Sequence, residues 1–339
     1  MNPDLSTMRT GPASKDSYGR TIDYLRISVT DRCNERCLYC MPEGYKGWAQ
    51  KPEHLTANEL VRTVEAATGL GFRKFRVTGG EPLIRKDIIE ILRAIWELPG
   101  TQTLGLSTNG TRLAPLAREI KQAGVRSVNV SLDALDADLY RRITGGEIGA
   151  VLAGLEAARE QDFEVIKLNC VLMRGVNEGE YVKLIEFAAE RAMPLRFIEL
   201  MPLTRTDVLD DSNFLSIQEL MSRLGGVGAL TAIDNYRPGH GPAKYYEFQS
   251  DRLPSPARLG FIGAITSPHF CETCNKLRLT ADGKLRPCLG RLGEIDLLGS
   301  LRAGEDPARA FEEAIVNKPE NHEFLDRYAP GRPMTAIGG

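Results

Sequence analysis

Residues 24–40 read YLRISVTDRCNERCLYC. The first seven alternate, with Leu25, Ile27 and Val29 on one side and Arg26, Ser28 and Thr30 on the other, which is the two-residue period of a strand. Three cysteines, Cys33, Cys37 and Cys40, follow at once. A strand that is apolar on one face and cationic on the other, and that ends in clustered thiols, sets two questions. One is what the polar face looks into, and the other is what the thiols hold.

The same alternation recurs along the chain. Phe75 and Val77 oppose Lys74, Arg76 and Thr78; Leu104 and Leu106 oppose Ser107; Val128 and Val130 oppose Asn129, Ser131 and Asp133; Ile166, Leu168 and Cys170 oppose Lys167 and Asn169. These runs, at 24–30, 72–78, 103–107, 127–133 and 164–171, with a sixth at 195–201, are separated by helical stretches near 56–69, 87–98, 114–123, 147–160 and 178–191. Thr56 and Glu59 form a capping-box pair at the start of the first helix. Strand–helix alternation of this kind predicts a parallel sheet. Parallel strands covered on both faces read as continuous apolar runs, whereas these keep a polar face. Helices cover the apolar side, so the polar side lines an interior. Arg26, Lys74, Arg76 and Lys167 cannot sit in a dry core without partners, and a cavity for an anionic ligand accounts for them. Six units fall short of a complete eight-stranded barrel. The expectation is an α/β fold, an incomplete (β/α)6 TIM-like barrel with a C-terminal segment closing its open side.

With 339 residues, 42% hydrophobic and 26% charged, the composition is that of an ordinary globular protein. A net charge of −2 gives no basic excess for nucleic acid or a membrane surface. No apolar run reaches the ~20 residues of a spanning helix. The first residues lack the apolar stretch of a secretory signal, so a cytoplasmic protein with a disordered leader over 1–18 is expected. The barrel is placed at 19–230. The C-terminal region, 231–339, carries a second cysteine group, Cys271, Cys274 and Cys288, and ends in Gly338-Gly339. Six of the seven cysteines thus fall into two sets of three, and Cys170 lies on an apolar strand face as a core thiol.

Structural zinc takes four ligands, and the first set offers three thiolates with His54 the nearest histidine. A four-iron cluster held by three cysteines keeps one iron open to a small molecule. The spacing Cys33-x3-Cys37-x2-Cys40, with Tyr39 before the last cysteine, resembles the radical S-adenosylmethionine superfamily. Thr78-Gly79-Gly80-Glu81-Pro82 at the end of the second strand resembles its glycine-rich loop. For the second set, His269 could complete a zinc site. Yet Cys274 is followed by NKLRLTADG, and that run, the cysteine spacing and the Gly-Gly end together resemble the GTP 3′,8-cyclase family, from about Gly19 to Gly339.

The resemblance implies two [4Fe-4S] clusters and S-adenosyl-L-methionine as cofactors, with Cys33, Cys37, Cys40, Cys271, Cys274 and Cys288 as ligands. It implies S-adenosylmethionine contacts at Tyr39, Gly80, Ser131 and Met201. It implies GTP contacts at Arg26, Arg76, Ser107, Lys167, Lys276, Leu277 and Arg278, with Lys74 and Arg196 near the same pocket. Gly338 and Gly339 are carried over as catalytic. Lys276 departs from the family's usual Arg, keeping the charge and losing the planar fork. The implied reaction is radical cyclisation of GTP to (8S)-3′,8-cyclo-7,8-dihydroguanosine 5′-triphosphate, the first step of molybdenum cofactor biosynthesis. A deoxyadenosyl radical takes hydrogen from the 3′ carbon, which then attacks carbon 8 of guanine. Flavodoxin or ferredoxin as electron donor, cyclic pyranopterin monophosphate synthase downstream and a homodimer complete the implied setting. Two other readings compete. A radical enzyme modifying a peptide or protein through an auxiliary cluster predicts more C-terminal cysteines and has no use for a cationic lumen. An electron carrier or zinc-stabilised binding module leaves the βα units and the Gly-Gly-Glu loop unexplained.

Overall fold

The computed structural model describes residues 14–41, 54–203, 209–326, 328 and 331–338. The strands are β1 (Ser14–Lys15), β2 (Thr21–Ile22), β3 (Tyr24–Ser28), β4 (Lys74–Thr78), β5 (Thr103–Thr108), β6 (Ser127–Ser131), β7 (Val165–Leu172), β8 (Leu195–Glu199), β9 (Ala229–Ala232), β10 (Lys244–Gln249), β11 (Ala257–Ile262), β12 (Lys276–Leu279), β13 (Lys284–Arg286) and β14 (Ile295–Asp296). The helices are α1 (Ala57–Gly69), α2 (Ile88–Glu97), α3 (Leu113–Gln122), α4 (Ala137–Thr144), α5 (Ile148–Arg159), α6 (Tyr181–Glu190), α7 (Ile217–Gly225), α8 (Leu297–Arg302), α9 (Pro307–Val316) and α10 (Met334–Ile337).

Strands β3 to β8 pair in sequence order, all parallel, as the expected six-unit partial barrel. The apolar faces are in the core: Leu25, Ile27, Val77, Leu104, Leu106, Val128, Val130, Leu168 and Cys170 have no exposed surface. The Thr56 capping box forms, with the Thr56 backbone N–H donating to Glu59 Oε2 at 2.8 Å and Glu59 N–H to Thr56 Oγ1 at 3.2 Å. Helix α4 was not expected. It follows Asp136, whose carboxylate accepts from Leu139 N–H, and it stops at Gly145 in the left-handed region, φ +69°.

The C-terminal region joins the sheet at both edges. Strand β11 pairs parallel to β8 (Leu259 opposite Leu195), and β12 pairs parallel to β3 (Lys276 opposite Tyr24). These additions supply partners for the edge N–H and C=O groups that six strands leave open. The antiparallel β10 and β9 extend one side, β13 and β14 the other, and among the described residues no ladder joins β9 to β14. The connection from β11 to β12, residues 263–275, runs from one edge to the other across the open side, as a closing C-terminal segment requires.

The last part of the expected leader has structure. Ser14–Lys15 pair with Thr21–Ile22, around Asp16, whose carboxylate accepts from Tyr18 and Arg20 backbone N–H and from Arg20 Nε. The reason is local, because a buried carboxylate that ties its own turn orders the chain on either side. Residues 1–13 lie outside the described residues.

Candidate active site

The interior of the sheet encloses a cavity of about 1170 Å³ lined by all six clustered cysteines. The first triad follows the C-terminal end of β3. Cys274 stands just before the N-terminal end of β12, which is parallel to β3, and Cys288 follows β13, which runs back antiparallel to that same end. The two triads therefore flank opposite ends of the parallel sheet. The length of β3 between those levels, Tyr24 to Ser28, is about 13 Å at ~3.3 Å per residue. Barrel active sites ordinarily form at the C-terminal end alone.

Between the triads lies a row of basic side chains. Arg278, Arg26 and Arg76 sit side by side on β12, β3 and β4, and Lys167, Arg196 and Lys276 line the same cavity. Arg76 is held on every side: Nε donates to Tyr24 Oη at 2.8 Å, Nη1 to Leu106 O at 2.9 Å and Nη2 to Ser127 Oγ at 2.9 Å. Gly105 makes room for it, since a Cβ there would stand 2.5 Å from Arg76 Nη2. Lys167 instead donates to the carbonyl of Pro238, in the β9–β10 connection that reaches over the cavity. Burial, then the charges of Arg76 and Arg196, push the Lys167 ammonium down to about 6. Burial likewise lowers Arg278 to about 9 and Arg196 to about 10, so both stay protonated at neutral pH. Lys276 donates to Asn275 Oδ1 at 2.9 Å and lies 5.4 Å from the Tyr24 ring centroid. A polyanion is the chemical complement of this wall.

Ser107, Tyr39, Gly80, Ser131 and Met201 also line the cavity. Tyr39 Oη donates to Asp133 Oδ2 at 2.7 Å. Gly79 and Gly80 are glycines because the triad loop presses on them: added Cβ atoms would stand 2.6 Å from Thr30 O and 2.3 Å from Arg32 O. Gly80 N–H donates to Thr30 O at 2.7 Å and Glu81 N–H to Arg32 O at 2.8 Å, so this turn seats the first triad.

The side chains of two of the expected residues do not line the cavity. Leu277 alternates outward between Lys276 and Arg278 and is buried in the apolar core, so its side chain does not reach the cavity. Lys74 pairs with Asp23 at 2.5 Å and does not line the cavity either. Gly338 is buried with φ +88°, and its carbonyl accepts from Arg278 Nη1 at 2.8 Å. Gly339 lies outside the described residues.

Whether the thiols suit a metal can be judged from their surroundings. Burial pushes Cys33 up to about 11, Cys40 up to about 12 and Cys37 well above its ordinary value, so a thiolate there requires a cation to be delivered. Among the described residues no three His, Cys, Asp or Glu side chains are set to hold one metal ion. His269, the candidate fourth zinc ligand, bonds Glu272 Oε1 at 2.6 Å with both side chains exposed. A multi-iron cluster differs in that each thiolate takes its own iron, and two sets of three thiols on one cavity fit that demand. In the second set, burial pushes Cys274 up, but Lys318 and Lys276 beside it more than reverse that.

Sequence reading missed Tyr24, Arg20 and Lys318, and it put Asp133 on the interior face without a role. Tyr24 starts the inward-facing period of β3 and could have been found there. Lys318 had no such signal.

A family model described as the radical SAM superfamily matches residues 27–188, and one described as Molybdenum Cofactor Synthesis C matches residues 193–324. The chain is 42% identical over 331 residues to the GTP 3′,8-cyclase of Pelotomaculum thermopropionicum, covering 96% of this chain and 100% of that one. It is 42% identical over 335 residues to the GTP 3′,8-cyclase of Rhizobium etli, covering 96% and 94%. Among solved structures, Streptococcus suis SuiB superposes with a TM-score of 0.57 at 14% identity, over 83% of this chain and 65% of SuiB. The structure of native anSMEcpe with bound AdoMet gives 0.55 at 15% identity, over 89% and 82%. At such identities the two structures speak to the fold alone.

Proposed function

The chain belongs to the GTP 3′,8-cyclase family of the radical SAM superfamily, and from that membership we infer that it is an enzyme that cyclises GTP to (8S)-3′,8-cyclo-7,8-dihydroguanosine 5′-triphosphate, the first step of molybdenum cofactor biosynthesis. One observation carries the reading beyond the family name: two three-cysteine sets face each other along a single cationic lumen. A peptide substrate gives no reason for six lysines and arginines on the wall between them.

In this reading Cys33, Cys37 and Cys40 would hold one [4Fe-4S] cluster and Cys271, Cys274 and Cys288 another. When bound, the first cluster with S-adenosylmethionine supplies the deoxyadenosyl radical. Tyr39, Gly80, Ser131 and Met201 hold S-adenosylmethionine at the first triad, and Asp133 fixes the Tyr39 hydroxyl there. Arg26, Arg76, Ser107, Lys167, Lys276 and Arg278 hold GTP with its guanine toward the second triad, and Leu277 contributes backbone only. Gly338, seated by Arg278, acts on the reacting ribose from the tail, and Gly339 is assigned the same catalytic role. The protein's share is orientation and charge stabilisation. A flavodoxin or ferredoxin would supply electrons and cyclic pyranopterin monophosphate synthase would take the product. A cytoplasmic homodimer completes the proposal. For the described residues, no helix is long and apolar enough to cross a membrane.

The test is anaerobic turnover of the reconstituted protein with GTP, S-adenosylmethionine and dithionite. The cyclised nucleotide is expected. Protein that cleaves S-adenosylmethionine yet leaves GTP intact would overturn the assignment.

A further inference from the structure

Lys318 follows α9, far in sequence from both triads, and is 3% exposed. Its ammonium donates to the backbone carbonyls of Lys276 and Pro287, each at 2.8 Å. Lys276 lies two residues past Cys274, and Pro287 immediately precedes Cys288. The Cys274 thiol stands beside the same ammonium. A single cation thus bridges the two stretches of chain that deliver two cysteines of the second triad. Arg20 works from the other side, donating to Cys271 O at 3.0 Å and to Pro319 O at 2.6 Å. Arg20 has its own counter-charge in Asp16 at 2.6 Å. Among the described residues, the hydrogen-bond partners of Lys318 are two carbonyls, with the Cys274 thiol beside them and no carboxylate among them.

We propose that Lys318 is a positioning residue of the second triad, which holds the Cys274 and Cys288 segments in place and sets a fixed positive charge against the cluster bound there. A buried ammonium left without a full counter-charge is costly, and carbonyls supply only partial charge. The matching anion is the thiolate-ligated cluster itself. Cluster potentials follow net charge and the hydrogen bonds to the ligating sulfurs. Reduction adds negative charge, so a nearby cation stabilises the reduced form more than the oxidised form and raises the potential. Replacing Lys318 by an uncharged residue of similar length should therefore make the second cluster harder to reduce.

This inference rests on the reading that the second triad holds an iron–sulfur cluster, and the test separates the two. The full chain with Cys33, Cys37 and Cys40 all changed to Ala is reconstituted anaerobically with iron and sulfide, so that only the second triad is loaded. Its midpoint potential is then followed by electron paramagnetic resonance, alone and with K318M or K318R added. The expected result is a more negative potential in K318M and one near the parent value in K318R, at equal iron content. Loss of iron in K318M with retention in K318R would also support the charge role. Equal potentials in K318M and the parent, or loss of iron in both variants, would overturn it. A parent that takes up no iron would instead overturn the cluster reading, and this inference with it.

Discussion

The guanidinium of Arg278 donates to the carbonyl of Gly338 at 2.8 Å, tying the end of the described chain to a cation of the lumen wall. Gly338 suits that seat because φ is +88° and a Cβ would stand 2.8 Å from Ser28 Cβ and 3.1 Å from Thr78 Cγ2. Any side chain there meets both a disfavoured backbone region and packed strand ends.

Gly338→Ala should therefore unseat the tail and lower cyclisation at least tenfold. The tail is terminal, so its release leaves the barrel intact and the melting temperature nearly unchanged. Deleting Gly338 and Gly339 together should do the same. Turnover at the parent rate in both variants would remove the tail from the reaction.

Lys167 should make nucleotide binding proton-linked. Its pKa is depressed to about 6 in the folded protein against the ordinary 10.5. Between those values the unfolded chain binds the extra proton, so this group's contribution to stability rises with pH, being full above about 10.5 and lost as pH falls through 6. A phosphate reverses the preference by favouring the charged form. Calorimetry at pH 7.5 in buffers of different ionisation enthalpy should show proton uptake when GTP binds, and Lys167→Met should abolish that uptake. The same variant should leave the ligand-free protein no less stable.

Arg76 should behave otherwise, because Tyr24, Leu106 and Ser127 already satisfy it. Arg76→Ala should weaken GTP binding by about 1–3 kcal/mol, the range for hydrogen bonds to a charged group and for a buried partner left unsatisfied. It should also destabilise the empty protein, which Lys167→Met does not. Comparing GTP with guanosine isolates phosphate reading: each variant should narrow the gap between the two ligands. An equal loss for both would mean that the phosphates lie elsewhere.

The two triads should divide the work. Fully reconstituted protein should hold about eight irons per chain if both sets take four-iron clusters. Changing Cys271, Cys274 and Cys288 to Ala should spare reductive cleavage of S-adenosylmethionine and stop cyclisation. Changing Cys33, Cys37 and Cys40 should stop cleavage itself. Stoichiometric zinc at the second set is the result that would undo this division.

Much of this site was legible because its signals are local. Alternation along Tyr24–Ser28 and its sister strands puts cations on one face by geometry alone, and the Cys33–Cys40 spacing sits within a single loop. The same alternation shows why Leu277 faces the core between Lys276 and Arg278. There, family resemblance suggested a contact that the strand period refuses to the side chain.

Sequence by itself determined the βα order, the inward cations and the two sets of thiols, since each depends on residues within a few positions of one another. Tertiary structure alone decided that β11 and β12 complete the sheet from opposite edges, which puts the triads at its two ends. It alone brought Lys318 to Cys274 and Pro238 to Lys167. Those outcomes depend on which edge hydrogen-bonding groups are left open and which buried charges lack partners once the rest has folded. Residues some 250 positions apart, such as Tyr24 and Lys276, meet on that ground, and no local period carries it.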